Sequence, residues 1–115
     1  MMPRSCKAKG RHFQLEIRQD LITRIGIQEV DIQSTAMGQA GCDIYLSKAA
    51  RDVFPYGVEC KNVERLDVWK SIEQCEANAA KEGLHPLLVF RRNRTEPRVI
   101  LRWSDFLSLL GGVET

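Results

Sequence analysis

Residues 41–62 read GCDIYLSKAARDVFPYGVECKN, and they set three ionisable side chains, Asp43, Glu59 and Lys61, where strands of a core sheet are expected. Cys42, Ile44 and Leu46, then Val58 and Cys60, alternate with these charges, and a period of two puts alternate side chains on one face of a strand. Glu59 and Lys61 therefore share a face. Asp43 lies on the face opposite Ile44 and Leu46, so pairing of the two segments brings the three charged groups together while the apolar set packs into the core. An acid and an amine about 6 to 7 Å apart along one strand, with a second acid on its neighbour, make a candidate oxygen-ligand site for a divalent cation.

The 115 residues around this stretch suffice for one domain with a real core, but not for two. Apolar residues at 43% and charged residues at 28% are ordinary for a soluble globular chain. The start, MMPRSCKAKGRHF, has no apolar core of a signal peptide, and no later run approaches a membrane span. A cytoplasmic protein with no membrane association is expected. Cys6, Cys42, Cys60 and Cys75 show no CxxC spacing, and two fall at core-facing strand positions. They read as buried free thiols in preference to disulfides or a zinc site. The net charge of +2 is small but unevenly spread. Arg4, Lys7, Lys9 and Arg11 crowd one end, and Arg91, Arg92, Arg94, Arg98 and Arg102 the other, a distribution that suits a protein holding phosphates around a metal.

Residues 1–9 lack apolar periodicity and are expected to form a flexible basic arm, either a solubilising tail or a phosphate-binding segment, ahead of a single domain over 10–115. From Gly10, the spacing of Phe13, Ile17, Leu21 and Ile25 predicts a helix stopped at Gly26, with Glu16 on the border of its apolar stripe. Residues 27–33 read as a strand, 34–41 as a flexible loop, 42–47 and 56–62 as two further strands, and KAARDVFP as a connection. Asp67 caps a second helix reaching to about Glu82, apolar along Val68, Ile72, Cys75 and Ala79 and polar along Lys70, Gln74, Asn78 and Lys81. Residues 86–91 and 98–103 read as two more strands, and Ser104 as the cap of a short last helix. Its FLSLL run is either core or half of a dimer interface, while Trp69 and Trp103 read as structural. The resulting expectation is an α/β domain, a five-stranded mixed sheet with a helix on each side.

With these elements in place, KGRHFQLE on the first helix, GCDIYL and ECK on two strands and a following helix carrying Gln74 resemble the PD-(D/E)xK nuclease superfamily. Within it the chain is similar to archaeal and phage-type Holliday-junction resolvases. The resemblance implies a restriction-endonuclease-like αβββαβ core and a catalytic set of Glu16, Asp43, Glu59 and Lys61. It also suggests a hydroxyl in the loop before the aspartate, for which Ser34 and Thr35 are candidates. Cys42 stands where the superfamily's name expects proline.

The chemistry so implied is Mg²⁺-dependent hydrolysis of DNA phosphodiesters, with Mn²⁺ able to substitute. Asp43, Glu59 and the backbone carbonyl of Cys60 would bind the metal, Glu16 would contribute through a water, and Lys61 would stabilise charge at the phosphate. Glu16 equally fits a plain helix surface, and a lone ExK strand a solvated sheet face. Lys7, Lys9, Arg11, Ser34, Thr35, Lys70, Gln74 and Asn78 are the candidate DNA contacts, and His12 lies close to them. The expected activity is a structure-selective endonuclease, a Holliday-junction resolvase of DNA recombination acting as a homodimer. The alternatives are a nicking or restriction-like nuclease of the same superfamily, or a non-catalytic DNA-binding subunit.

Overall fold

The computed structural model describes residues 6–36 and 39–113. The first five residues of the expected arm, and positions 37 and 38 of the expected loop, lie outside the described residues. The chain runs α1 (Cys6–Asp20), a π-helical turn (Leu21–Ile25), a 3₁₀ turn (Glu29–Asp31), β1 (Ile32–Ser34), β2 (Ile44–Leu46) and α2 (Lys48–Val53). It continues through β3 (Tyr56–Asn62), α3 (Val68–Lys81), β4 (His85–Arg91), β5 (Arg98–Ile100) and α4 (Trp103–Leu109).

Phe13, Ile17 and Leu21 form the buried stripe of α1 and its continuation. Gly26 ends that helix at φ +85°, its N–H returning to the Leu21 carbonyl, a left-handed stop that glycine adopts without a Cβ penalty. The helix begins at Cys6 and not at Gly10. Lys7 and Lys9 therefore lie within α1, where a run of Lys and Ala supplies helix propensity without an apolar period.

The strands form two sheets in place of the expected single one. β1 pairs antiparallel with β2, while β3 runs parallel to β4, which pairs antiparallel with β5. The split occurs at Asp43, whose N–H donates to the Val58 carbonyl at 2.9 Å. On the next rung the Asp43 Oδ2 atom accepts the Cys60 N–H at 2.7 Å. A side-chain carboxylate thus stands where a strand carbonyl would, and the backbone beyond it turns away to pair with β1.

The two long helices cover opposite faces of β3, as expected of one-sided amphipathic helices. Val58 and Cys60 join Phe13 and Ile17 of α1 in one apolar cluster with Ile32, Ile44, Leu46 and Val89. Gly57 and Glu59 face α3. A Cβ on Gly57 would lie 2.8 Å from the Ala79 Cβ and 2.9 Å from the Cys42 Sγ, so the absent side chain is what lets α3 approach the strand this closely.

Other expectations shift locally. Residues 27–33 form a 3₁₀ turn and the start of the short β1, not one strand. The 48–53 segment is helical because the Ser47 side chain accepts the Ala50 N–H as an N-cap. α3 starts as expected at its Asp67 cap. β5 stops at Ile100, and α4 starts at Trp103 after Arg102, so Ser104 lies inside the helix. Trp69 and Trp103 are exposed at 74% and 71%, not packed in the core. No helix among the described residues is long and apolar enough to cross a membrane.

Candidate active site

The backbone of Asp43 is held from two directions. Its N–H is bound to β3, and its carbonyl accepts both the N–H of Thr35, at 2.9 Å, and the Thr35 hydroxyl, at 3.2 Å. With Oδ2 on the Cys60 N–H, the carboxylate is fixed beside the edge of β3. Because a strand residue points its N–H and its C=O to the same edge, the Cys60 carbonyl lies on that side too.

On the α3 face of β3, Glu59 and Lys61 each meet an amide. Asn78 Nδ2 donates to Glu59 Oε2 at 3.3 Å, and Lys61 Nζ donates to Gln74 Oε1 at 3.1 Å. The spacing explains why both bonds form: four helical residues rise about 6 Å, and two strand residues advance about 6.6 Å. Gln74 and Asn78, read from sequence as DNA contacts, are thus the partners of the two charged strand residues.

An open cleft of about 380 Å³ joins these groups, with Gln14 from α1, Asp43, Glu59 and Lys61 from the strand junction, and Gln74 and Asn78 from α3 in its walls. Glu59 is only 4% exposed. Burial, reinforced by the Asp43 carboxylate, pushes its pKa up to about 7 against the opposing pull of Asn78 and Lys61. Burial also raises the Asp43 pKa, with the Cys60 N–H and Lys61 acting in the other direction. Two carboxylates withdrawn from water beside each other, with one lysine to share, favour either a proton or a bound cation.

Glu16 is not brought to this cleft. It is exposed, and both its oxygens lie 3.0 Å from Arg91 Nη1, whose guanidinium carbon sits 4.6 Å from the centre of the Phe13 ring. The residue α1 supplies instead is Gln14, 3% exposed, whose Oε1 accepts the Ser34 hydroxyl at 2.7 Å. At 100° per residue, Gln14 lies about 60° from the centre of the Phe13–Ile17–Leu21 stripe and Glu16 about 100° away. That angular difference is the signal the sequence carries for Gln14. Among the described residues, no group of three or more His, Cys, Asp or Glu could hold a metal. The carboxylates lining the cleft, among the described residues, are Asp43 and Glu59, a pair that could hold Mg²⁺, which binds through one or two carboxylates and completes its octahedron with water and phosphate oxygens.

A second, larger groove of about 910 Å³ opens beside the cleft, lined by Lys7, Arg11 and His12 of α1 and by Ser34 and Thr35. The Ser34–Gln14 hydrogen bond links a residue of this groove to a residue of the cleft. Lys9 and Lys70 line neither.

Cys42, Cys60 and Cys75 are free and buried, as the sequence suggested. Burial pushes Cys42 and Cys75 up to about 12 and Cys60 well above its ordinary value. Thiols held protonated in this way pack as small apolar groups.

Residues 5–111 match the model of a family described as "Phage putative PDDEXK endonuclease". Neither a curated protein nor a solved structure matches the chain.

Proposed function

The chain belongs to this family of phage PDDEXK endonucleases, and from that premise we propose that it is a Mg²⁺-dependent, structure-selective DNA endonuclease working as a homodimer on four-way junctions. The observation that carries the reading is the convergence of half-buried Asp43 and buried Glu59 on one cleft that Lys61 also lines.

When bound, the metal neutralises phosphate charge and makes the attacking water more acidic. Asp43, Glu59 and the Cys60 carbonyl would hold it, and Mn²⁺ would substitute because the donors are all oxygen. Lys61, steadied by Gln74, stabilises charge that develops on the phosphate. Lys7 and Arg11 of the adjacent groove hold neighbouring phosphates, which fixes the strand without reading its bases, while the Ser34 and Thr35 hydroxyls, donated to Gln14 and to the Asp43 carbonyl, brace the wall between groove and cleft. Glu16, engaged with Arg91, has no part in this scheme. Recognition through the backbone favours DNA shape over sequence, and a two-fold dimer would present two such clefts to a junction of approximate two-fold symmetry.

Cleavage of a labelled four-way junction, a linear duplex and a single strand, in Mg²⁺ and in chelator, tests the reading. Paired nicks in the junction alone, lost in Lys61→Ala, support it. Equal cleavage of linear duplex replaces the resolvase with a nicking or restriction-like enzyme. Binding without cleavage in Mg²⁺ or Mn²⁺ leaves a non-catalytic DNA-binding subunit and overturns the enzyme.

A further inference from the structure

The turn between β4 and β5 carries more positive charge than a hairpin needs. Residues 91–98, RRNRTEPR, set four arginines against one glutamate. Arg91 is engaged by Glu16 and the Phe13 ring, and Arg98 reaches back to the Glu96 carbonyl. Arg92 and Arg94 are exposed at the tip, and among the described residues neither guanidinium meets an acceptor or a carboxylate. The backbone that carries them is pinned. The Thr95 hydroxyl accepts the Arg92 N–H at 3.1 Å and donates to the Arg92 carbonyl at 3.0 Å. Arg94 holds φ +61° and is the only non-glycine with a positive φ among the described residues. Glycine or asparagine adopts that left-handed conformation at lower cost, so an arginine kept there points to a use for its charge.

We propose that Arg92 and Arg94 form a second phosphate-contact site, which grips the DNA backbone on the side of the cleft away from Lys7 and Arg11. The inference rests on the reading of the chain as a DNA nuclease and adds a contact outside the groove and the cleft. β4 and the Asp43 carboxylate flank opposite edges of β3, and Thr35 ties the groove of Lys7 and Arg11 to the Asp43 side. On the other edge, Lys61 stands opposite Phe90 and Asn62 opposite Arg91, so the turn leaves the sheet beside the Lys61 end of the cleft. With strands about 4.8 Å apart and about 3.3 Å per residue, its tip lies roughly 11 to 14 Å from Lys61. That span is about three or four nucleotides of a strand that advances ~3.4 Å for each. A guanidinium fork binds phosphate oxygens in pairs, which suits both arginines to the backbone on that side.

Fluorescence anisotropy of the full chain with a labelled four-way junction and a labelled duplex, in chelator and over a salt series, tests this. Arg92→Ala/Arg94→Gly is compared with wild type and with Arg24→Ala/Lys48→Ala, which removes two charges from exposed positions on the π-helical turn and α2. The double turn variant is expected to bind about tenfold more weakly or worse at ~0.1 M salt, with the slope of log K against log salt reduced by about 1.8, while the control stays close to wild type. Arg94→Gly alone, in which glycine takes the same φ, is expected to keep the wild-type circular dichroism and lose about half of that slope. It decides the matter if the double variant loses structure. A wild-type slope in the turn variants, or an equal loss in the control, overturns the site alone. Wild type that binds neither DNA overturns the site together with the nuclease reading.

Discussion

Asn78 Nδ2 donates to Glu59 Oε2 at 3.3 Å, so a carboxylate that burial pushes toward neutrality is held by a neutral donor from the facing helix. Gln74, one turn earlier on α3, holds Lys61 in the same way. Hydrogen bonds to charged groups contribute about 1.5–3 kcal/mol, and each ~1.4 kcal/mol of transition-state stabilisation is a factor of ten in rate. Asn78→Leu is therefore expected to lower kcat about tenfold or more, with KM for DNA little changed. Gln74→Glu keeps an acceptor for Lys61 and should retain more activity than Gln74→Leu. Steady-state kinetics on a cleaved DNA check both. A rise in KM at constant kcat would place these amides on the DNA instead.

Asp43 serves two purposes that substitution can separate. Its Oδ2 completes the β3 edge at the Cys60 N–H, and its charge joins that of Glu59. Asp43→Asn keeps a carbonyl acceptor and removes the charge, so it should abolish cleavage while denaturant stability stays within about 1 kcal/mol of wild type. Asp43→Ala leaves the Cys60 N–H without that partner and should cost about 1–3 kcal/mol in addition. Urea unfolding of the two variants beside wild type measures the difference.

The raised pKa of Glu59 fixes the direction of the pH dependence. A carboxyl with a folded pKa of about 7, against an ordinary 4.5, binds more protons in the folded state than in the unfolded state between those values. Without metal, stability is then greatest below about 4.5 as far as this group is concerned, and falls as pH rises toward 7, by up to about 3 kcal/mol. Glu59→Gln removes that dependence and should raise the melting temperature at pH 8. Activity runs the other way: the cation competes with the proton on Glu59, so cleavage should increase as pH rises through about 7 at low Mg²⁺. Melting curves at pH 5.5 and 8, and rates across the same range, check both signs.

Much of the site was legible because strand alternation is a strict geometric rule. The placement of Glu59 and Lys61 on one face followed from a period of two; that of Asp43, which lies just outside β2, did not. The helix boundaries at Gly26 and Asp67 followed from cap chemistry in the same way. The short elements were less readable. α2 depends on a single Ser47 cap, and the division of the sheet depends on the Asp43 carboxylate replacing a backbone carbonyl, a tertiary choice that no local pattern encodes. The exchange of Gln14 for Glu16 has a similar origin. The resemblance points to an acid on α1, but Arg91, distant in sequence, pairs with Glu16 on the exposed side of that helix.

The central claim is that Asp43 and Glu59 hold a divalent cation in the cleft between β3 and α3. Calorimetric titration of Mn²⁺ into the metal-free chain at pH 8, for wild type and Asp43→Asn, addresses it without relying on any substrate. The expected result is saturable binding to wild type that Asp43→Asn weakens at least tenfold. Equal Mn²⁺ binding by the two proteins, or none by wild type at millimolar metal, would contradict it.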